Sequence, residues 1–352
     1  MAELFLDGTK LTYHLPTVNQ WLKEGDIFPI HVEISPAGGC NQRCIHCCVG
    51  WAGHKPQLLS RKLLLNLADS FAKAGVKSFL LAGEGEPLLN KYCAEMAARA
   101  HRLGIDVALN SNAVLLSEGL SSRLLPHLVW ARFSIQAADP KKYGFIHGCA
   151  EADFKKAVTN IARAVEFKRK NKLKVTLGIQ QILIPQNVDQ IYKVAKLSKG
   201  LGVDYFVVKR FSKHPKNSYN VPVDIVSRCA KIFKQTAALS DKRFDSIVRW
   251  HNFQDDGRPE YKQCLGLPFI TQVLSDGGIY TCCNFFRDKR FCYGNLYEKS
   301  FAEIWLSRRR RQINGFVKNK VHPAKCMSFC RHHSVNKFLW EIKHIPKHVN
   351  FI

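Results

Sequence analysis

Gly38-Gly39-Cys40-Asn41-Gln42-Arg43-Cys44-Ile45-His46-Cys47 decides how the rest of this chain is read. Its cysteines stand at C-x3-C-x2-C spacing, directly after an apolar, extended run from Phe28 to Ile34 that Ser35-Pro36 closes. Three thiolates on one tight loop can hold three irons of a cubane cluster and leave the fourth iron without a protein ligand. An open metal position separates a reactive site from a closed structural one. A structural zinc loop and a set of buried free thiols are the competing readings. Zinc sites, however, are usually built from two paired C-x2-4-C or H-x3-5-H arms, and this triplet lacks that pairing. The rest of the chain favours iron–sulfur.

Outward from that loop, short β-branched or aromatic runs alternate with longer amphipathic segments. The strand candidates are Ile30–Ser35, Ser78–Ala82, Ile105–Asn110, Trp130–Gln136, Lys174–Leu183 and Asp204–Lys209. Helical patterns lie between them at Ser60–Ala74, Lys91–Leu103, Ser117–Leu125, Asp153–Lys170 and Val188–Leu201. Ser60 precedes its helix as an N-cap, and Gly75, Gly104 and Gly202 stand where helices should stop. Strands that alternate with helices predict an α/β fold on a parallel sheet, open or curled into a partial barrel.

Function in such sheets collects at the carboxyl ends of the strands. The polar residues of this chain fall there. Strand one runs into the cysteine loop, and strand two into Gly83-Glu84-Gly85-Glu86-Pro87. Strand three runs into Asn110-Ser111-Asn112, and strand four into Ser134-Ile135-Gln136. Strand five carries Gln180 and Gln181, and strand six ends in Lys209-Arg210. A single turn of this kind means little, because Gly, Asn and Pro are turn residues anyway. All of them on one rim beside a cysteine triplet indicate a site.

Residues 1–27 read as an N-terminal extension with a helix over Val18–Lys23, and 28–211 as the α/β domain. Residues 212–261, polar and carrying Pro215, Pro222 and Pro259, read as a closing helix (Val223–Ala238) and a linker. Residues 262–352 form a smaller cysteine-bearing domain and tail. There Cys264 is followed after twelve residues by Gly277 and after four more by Cys282, with Cys326 and Cys330 further on. Val273–Ile279 with Tyr280-Thr281 predicts a hairpin turning at Ser275-Asp276-Gly277-Gly278, which would bring Cys264 and Cys282 together. With Cys326 and Cys330 they make a four-thiolate set, hence a closed second cluster. Tetrahedral zinc is its competitor, and Cys283 or Cys292 could replace one ligand. His332 and His333, close after Cys330, read as surface or outer-sphere groups.

The chain of 352 residues is 46% hydrophobic and 23% charged, ordinary for a globular protein that buries a full core. No apolar run approaches the roughly 20 residues that span a bilayer, and Met1–Asp7 lacks the basic flank and apolar stretch of a secretory signal. A cytoplasmic location is expected, in which the 13 cysteines serve metal rather than disulfides. Lys+Arg number 53 against 28 Asp+Glu, a formal +25, which favours anionic partners. The runs Arg308–Arg311 and Lys168–Lys170 read as solvated helix ends or surfaces. Nucleic acid is not favoured, since basic segments interleaved with aromatics are not prominent.

Cys40, Cys44 and Cys47 after the first strand, with Gly83–Pro87 after the second, resemble a radical S-adenosylmethionine (SAM) enzyme. The portion from Cys264 through Gly277, Cys282, Cys326 and Cys330 resembles the auxiliary-cluster appendage called SPASM or twitch, nearer the single-cluster twitch form. The match spans roughly residues 28 to 335. Asp7–His14 and the tail Pro346–Ile352 resemble a poorly described subgroup of these enzymes. The resemblance implies a partial (β/α)6 barrel followed by a small twitch/SPASM-like domain with a β-hairpin and helix. It implies a 4Fe–4S cluster on Cys40, Cys44 and Cys47 whose open iron SAM chelates, a second, auxiliary 4Fe–4S cluster, and a reductant such as flavodoxin or ferredoxin. One electron then cleaves SAM to methionine and a 5′-deoxyadenosyl radical that takes hydrogen from a substrate carbon. By position, the Gly83, Glu84, Gly85, Glu86 turn would hold the methionine amino group. Asn110, Asn112, Ser134 and Gln136 would bond the ribose and carboxylate. The chain departs from the family where His46 replaces a common aromatic residue, and where Ala113 and Gln136 occupy places often held by Gly and Asp.

A second cluster is compatible with dehydrogenation, the substrate radical passing its electron onward, and with epimerisation, a thiol returning hydrogen from the opposite face. Cys149 in Ile146-His147-Gly148-Cys149 is the candidate donor, against the plainer reading of a buried cysteine. Peptide modification is less expected, because the 27 residues before the first strand show no leader-binding domain. Lys209 and Arg210 are candidates for binding a substrate phosphate or carboxylate. The expected substrate is a small polar molecule, sugar-like or anionic. The competitor from another class is a non-catalytic iron–sulfur or zinc protein that binds nucleic acid through its basic surface, with steep salt dependence.

Overall fold

The structure, a computed structural model, describes residues 10–250, 253 and 259–351. Asp7, Gly8 and Thr9 of the N-terminal stretch, part of the 212–261 linker and Ile352 lie outside the described residues.

All six expected strands form: β1 (His31–Ile34), β2 (Ser78–Leu81), β3 (Asp106–Ser111), β4 (Trp130–Ser134), β5 (Thr176–Leu183) and β6 (Tyr205–Arg210). They pair in parallel and in sequence order. Helix α1 (Leu15–Glu24) precedes the sheet, and α2 (Arg61–Lys73), α3 (Cys93–Arg102) and α4 (Glu118–Leu124) follow successive strands. Next come α5 (Pro140–His147), α6 (Ala152–Lys170) and α7 (Ile191–Leu201). Ser60 caps α2 by accepting from Leu63 N at 3.2 Å. Gly202 ends α7 in the left-handed conformation, φ 76°, which lets the chain turn back toward β6. The sequence pattern had not marked α5, an eight-residue helix of low amphipathicity.

Pleating sends alternate residues to opposite faces, and the two faces here differ. Val32, Ile34, Phe79, Leu81, Phe133, Ile179, Phe206 and Val208 point outward into the main core shared with the helices. Their neighbours His31, Glu33, Asn110, Arg132, Gln180, Tyr205 and Lys209 therefore point into the curve of the sheet. Leu80, Ala82 and Ala108, with Trp130, plug one part of that interior.

The 212–261 segment departs from a plain helix and linker. The expected helix is split at Cys229 into α8 (Ile225–Arg228) and α9 (Ala230–Ala237). A seventh parallel strand, β7 (Asp245–Val248), then extends the sheet from β6. The predicted hairpin is present as β8 (Ile270–Val273) and β9 (Gly278–Tyr280), joined by β10 (Cys292–Asn295). β8 pairs in parallel with β1, so one ten-stranded sheet runs β10-β9-β8-β1-β2-β3-β4-β5-β6-β7. Three helices complete the C-terminal part: α10 (Phe301–Trp305), α11 (Arg308–Lys320) and α12 (His333–Lys343). The N-terminal helix belongs with them. Val18 and Trp21 pack with Leu265, Phe269, Val335 and Leu339 in a second core. Among the described residues no helix is long and apolar enough to cross a membrane.

The arginine run is not wholly a solvated surface. Arg310 is only 1% exposed. Its guanidinium donates to the Trp305 carbonyl, pairs with Asp26 and lies 4.3 Å over the Trp305 ring. It thereby ties α11 to the segment entering β1. Removing the arginine leaves Asp26 in reach of water but forfeits the carbonyl hydrogen bond and the ring contact, a loss of about 2 kcal/mol. Arg310→Ala is expected to lower unfolding stability by about that much in a urea titration. Arg311→Ala, on the exposed face, should stay within about 0.5 kcal/mol of the parent.

Candidate active site

The cysteine loop leaves the carboxyl end of β1 and coils tightly. Cys47 N donates to Cys44 O and Gly50 N to Cys47 O, each at 3.1 Å. Its far side is pinned by the end of α5, where Arg43 N donates to His147 O at 2.9 Å and Ile45 N to Ile146 O at 3.0 Å. Burial, followed by the neighbouring thiols, holds Cys44 well above the ordinary thiol range. Cys47 is pushed up to about 12 by burial and by Cys48. Cys40 raises both further, so the three thiols lie within electrostatic reach of one another. Three clustered soft donors suit thiophilic iron, which keeps thiolates ionised that water cannot reach.

The strand-two turn is pressed against this loop. A Cβ on Gly85 would fall 1.8 Å from the carbonyl oxygen of Gly39. Gly83 has φ +105°, and a Cβ there would fall 1.8 Å from Ser35 Oγ. Only glycine fits either place. Glu86 N donates to Gly39 O at 2.9 Å, stitching turn to loop. The two carboxylates of the turn are spent inside the protein. Glu86 accepts from Ser111 Oγ (2.7 Å), Leu88 N (3.1 Å) and Asn112 N (2.8 Å). Burial raises its pKa despite those donors. Glu84 accepts from Ser275 N and Ser275 Oγ at 2.9 Å and pairs with Arg287 at 2.6 Å. What the turn offers a ligand is thus its backbone.

Asn112 donates to Asn41 Oδ1 at 2.7 Å and so joins β3 to the cysteine loop. Ala113, where glycine is common, takes φ 64° while fully buried, with Asn160 donating to its carbonyl at 2.9 Å. Asn110 accepts from Arg132 Nε at 3.0 Å. Ser134 closes β4 opposite Gln180. Gln136 is buried, and its side-chain oxygen accepts from Ile182 N at 2.8 Å, which fastens it to β5.

Sequence reasoning missed Gln42 and His147. Nε2 of His147 accepts from Gln136 N at 3.3 Å, so its proton sits on Nδ1, which faces Gln42 Oε1 at 2.8 Å and Cys44 Sγ at 3.5 Å. Burial holds the ring well below its usual range, hence neutral. Gln42 donates to Tyr143 Oη at 2.9 Å and approaches Cys149 Sγ at 3.7 Å. Cys149 therefore sits behind the cysteine loop with this network, and burial pushes its thiol up to about 11. Only the proximity of His147 to Cys149 in sequence could have hinted at this.

Across the interior, burial pushes the Lys209 ammonium down to about 7, with Arg132 and Arg331 adding to the effect. Glu33 pairs with Arg331 and accepts from Gln272 Nε2 at 3.0 Å. Arg210 turns away from that interior, its guanidinium 5.2 Å from the Phe329 ring.

The four expected auxiliary ligands come together. Cys264, Cys282, Cys326 and Cys330 line one cavity with Tyr261, Met327, His332 and Asn336. Among the described residues no three His, Cys, Asp or Glu side chains converge on a single metal-ion position. The four thiols surround the cavity instead, which fits a cluster bound by four sulfurs. Asn336 Nδ2 donates to Cys264 Sγ at 3.4 Å, and Asn284 Nδ2 to Cys282 Sγ at 3.9 Å. Cys283 lies beside that cavity, its Sγ 3.9 Å from Met327 Sδ, and burial pushes its thiol up to about 12. Cys292 packs with Leu274, Tyr280 and Phe286. Neither of these two lines the cavity.

A strap after β6 connects the two cysteine sets. Asn217 Nδ2 donates to Cys47 O at 2.8 Å, and His214 Nε2 to Asn284 O at 3.2 Å. Trp51 stacks on His214 at 4.0 Å.

Comparisons with known proteins agree with this geometry. The radical SAM superfamily matches residues 34–198, and the iron–sulfur cluster-binding domain SPASM matches residues 264–332. A tungsten-containing aldehyde ferredoxin oxidoreductase cofactor-modifying protein of Pyrococcus furiosus is 20% identical over 84% of this chain and 85% of its own. A mitochondrial GTP 3′,8-cyclase of Arabidopsis thaliana is 25% identical over 72% of this chain and 66% of its own. Among solved structures, Streptococcus suis SuiB bound to S-adenosylmethionine superposes with a TM-score of 0.66 at 17% identity. That match covers 87% of this chain and 72% of SuiB. The enzyme anSMEcpe with bound AdoMet gives 0.58 at 17% identity, covering 82% and 84%. At these identities the likeness is one of fold.

The contact of Gly85 with Gly39 yields a test. Gly85→Ala should displace the cysteine loop and lower iron bound at the first site at least twofold, read from iron content and the spectrum of the reduced protein. Gly119→Ala, where a Cβ meets nothing within 4 Å, should bind iron like the parent.

Proposed function

We propose, for a chain that belongs to the radical SAM superfamily and carries a C-terminal SPASM iron–sulfur domain, an enzyme that removes a hydrogen atom from a small polar substrate held inside its half-barrel. The substrate is sugar-like or anionic, and its radical goes on to dehydrogenation or epimerisation. The observation that supports this reading is the asymmetry of the sheet. Its outer face is apolar, while the inner face beside the cysteine loop carries Glu33, Asn110, Arg132, Gln180 and Lys209. Bound at Cys40, Cys44 and Cys47, the 4Fe–4S cluster and SAM supply a carbon radical that side chains alone cannot generate.

The chain's part is to hold, orient and exclude water. Backbone groups of Gly83, Glu84, Gly85 and Glu86 receive the methionine amino group. Asn110, Asn112 and Ser134 lie on the same rim for the ribose and carboxylate, and Gln136 positions that rim by fastening β4 to β5. Cys264, Cys282, Cys326 and Cys330, which line one cavity, would hold the auxiliary cluster, which would supply a place for an electron in an oxidative outcome. For epimerisation Cys149 is the proposed thiol donor, and it would have to be reached from behind the cysteine loop, where Gln42 approaches its Sγ at 3.7 Å. A reductant such as flavodoxin or ferredoxin would supply the electron, and a cytoplasmic location is part of the same proposal. Of the similar proteins, the GTP 3′,8-cyclase takes a small anion by its name, while SuiB has also been solved with a precursor peptide.

Anaerobically reconstituted protein with SAM and dithionite should release 5′-deoxyadenosine and methionine, measured by mass spectrometry. Cys40→Ala, Cys44→Ala and Cys47→Ala should each reduce that release at least a hundredfold. Cys326→Ala should still cleave SAM but lose substrate oxidation. A parent enzyme that forms no 5′-deoxyadenosine over several equivalents of SAM would sink the proposal.

A further inference from the structure

Two asparagines stand at the wall of the auxiliary cavity, Asn336 and Asn284. Asn336 lies inside α12 and is 1% exposed. Asparagine is a poor residue for a helix interior, because its amide competes for backbone partners. Here the amide leaves its own helix. Its Oδ1 accepts from Leu265 N at 2.6 Å and from Gly266 N at 2.7 Å, the two residues that follow Cys264. Glycine permits that approach, since a Cβ on Gly266 would fall 2.9 Å from Val335 and 3.4 Å from Asn336 Oδ1.

Those bonds decide which end of the amide is which. Only its oxygen accepts, so two backbone donors on that atom leave Nδ2 facing the other way. Nδ2 donates to Cys264 Sγ at 3.4 Å, and its other hydrogen goes to the Tyr261 hydroxyl. Asn284, half-buried after β9, repeats the arrangement more loosely. Its Oδ1 accepts from Met327 N at 2.6 Å, and Nδ2 reaches Cys282 Sγ at 3.9 Å. Asn336 thus joins the Cys264 segment to the helix that follows Cys330. Asn284 joins the Cys282 segment to Met327, between Cys326 and Cys330. Each amide spends its oxygen on holding a ligand-bearing segment and presents an N–H to a ligand sulfur.

We propose that Asn336, and Asn284 to a smaller extent, are positioning residues that raise the reduction potential of the cluster held at Cys264, Cys282, Cys326 and Cys330. A donor to a coordinating thiolate stabilises negative charge on the sulfur, and the reduced cluster carries one negative charge more than the oxidised one. Hydrogen bonds to the sulfurs are among the means by which a protein sets such a potential. The shorter contact, made by the more deeply buried amide, has the larger effect. A site with a raised potential takes up an electron more readily, which suits the oxidative outcome. The inference rests on the functional reading above for the presence of the second cluster, and its tuning is read without any substrate.

The test is a redox titration of anaerobic, cluster-reconstituted enzyme followed by electron paramagnetic resonance. Added SAM changes the signal of the first cluster alone, which tells the two apart. Asn336→Asp keeps the oxygen that Leu265 N and Gly266 N bond and replaces the N–H that faces Cys264. At the parent's midpoint the ratio of reduced to oxidised second cluster should fall at least tenfold in this variant, about 59 mV for a one-electron couple. Asn336→Leu, which adds no charge, should shift the ratio in the same direction, and Asn284→Asp should shift it less. Asn319→Asp adds the same charge at an exposed position of α11 and should stay within about twofold of the parent. The first cluster should titrate as in the parent throughout. A second-cluster potential that neither Asn336 variant moves, or that Asn319→Asp moves equally, would overturn the inference. Should Asn336→Leu fail to fold, Asn336→Asp and Asn284→Asp decide the matter against the Asn319→Asp control. A parent that assembles no second cluster overturns the auxiliary site and the inference together, whereas one that assembles it with a potential indifferent to the amides overturns the inference alone.

Discussion

A buried carboxylate holds the two halves of this site together. Glu84, 3% exposed, sits in the turn after β2 and takes every donor described for its side chain from the far C-terminal hairpin region, Ser275 and Arg287. A charge at that depth is tolerable only when fully partnered, and removing one partner of such a pair typically costs about 3–5 kcal/mol. The turn that faces the cysteine loop therefore cannot be placed correctly without the hairpin. The hairpin in turn carries Cys282 to the auxiliary cavity. Both cysteine sets are positioned through one ionic contact.

Around that contact the packing leaves almost no slack. Gly85 against Gly39, Gly83 against Ser35 and Gly148 against Arg43 are approaches that a single methyl group would break. The loop is thus gripped by the β2 turn on one side and the end of α5 on the other. Neutral His147 completes the grip by bridging Gln136, Gln42 and Cys44. Such a frame suits chemistry in which a reactive carbon must be held near its target and water kept out.

Much of this was legible in the residues alone. The six strands showed themselves by β-branched runs between amphipathic helices, and both cysteine sets by spacing. The position of Gly277 gave away the hairpin. What escaped was set by tertiary context. β7 is four residues, Asp245–Val248, inside a polar stretch too short to show periodicity. Arg310 looks like its three neighbours in sequence, and only the Asp26 partner nearly three hundred residues earlier makes it a buried anchor. Glu84 and Glu86 read as ligand groups because they flank the glycines, yet their partners are Ser111, Ser275 and Arg287, which no local pattern reveals. Adjacent cysteines were undecidable by spacing; the fold puts Cys282 in the wall of the cavity and Cys283 against Met327 beside it.

The parallel pairing of β8 with β1 has a consequence for how such a chain can be cut or recombined. A fragment ending before Ile270 would keep all seven barrel strands but expose the whole N–H and C=O row of β1. Unprotected strand edges of that kind template pairing between molecules. The C-terminal half is therefore also a cap against self-association, and exchanging it between homologues requires that the incoming strand match the register His31 opposite Ile270.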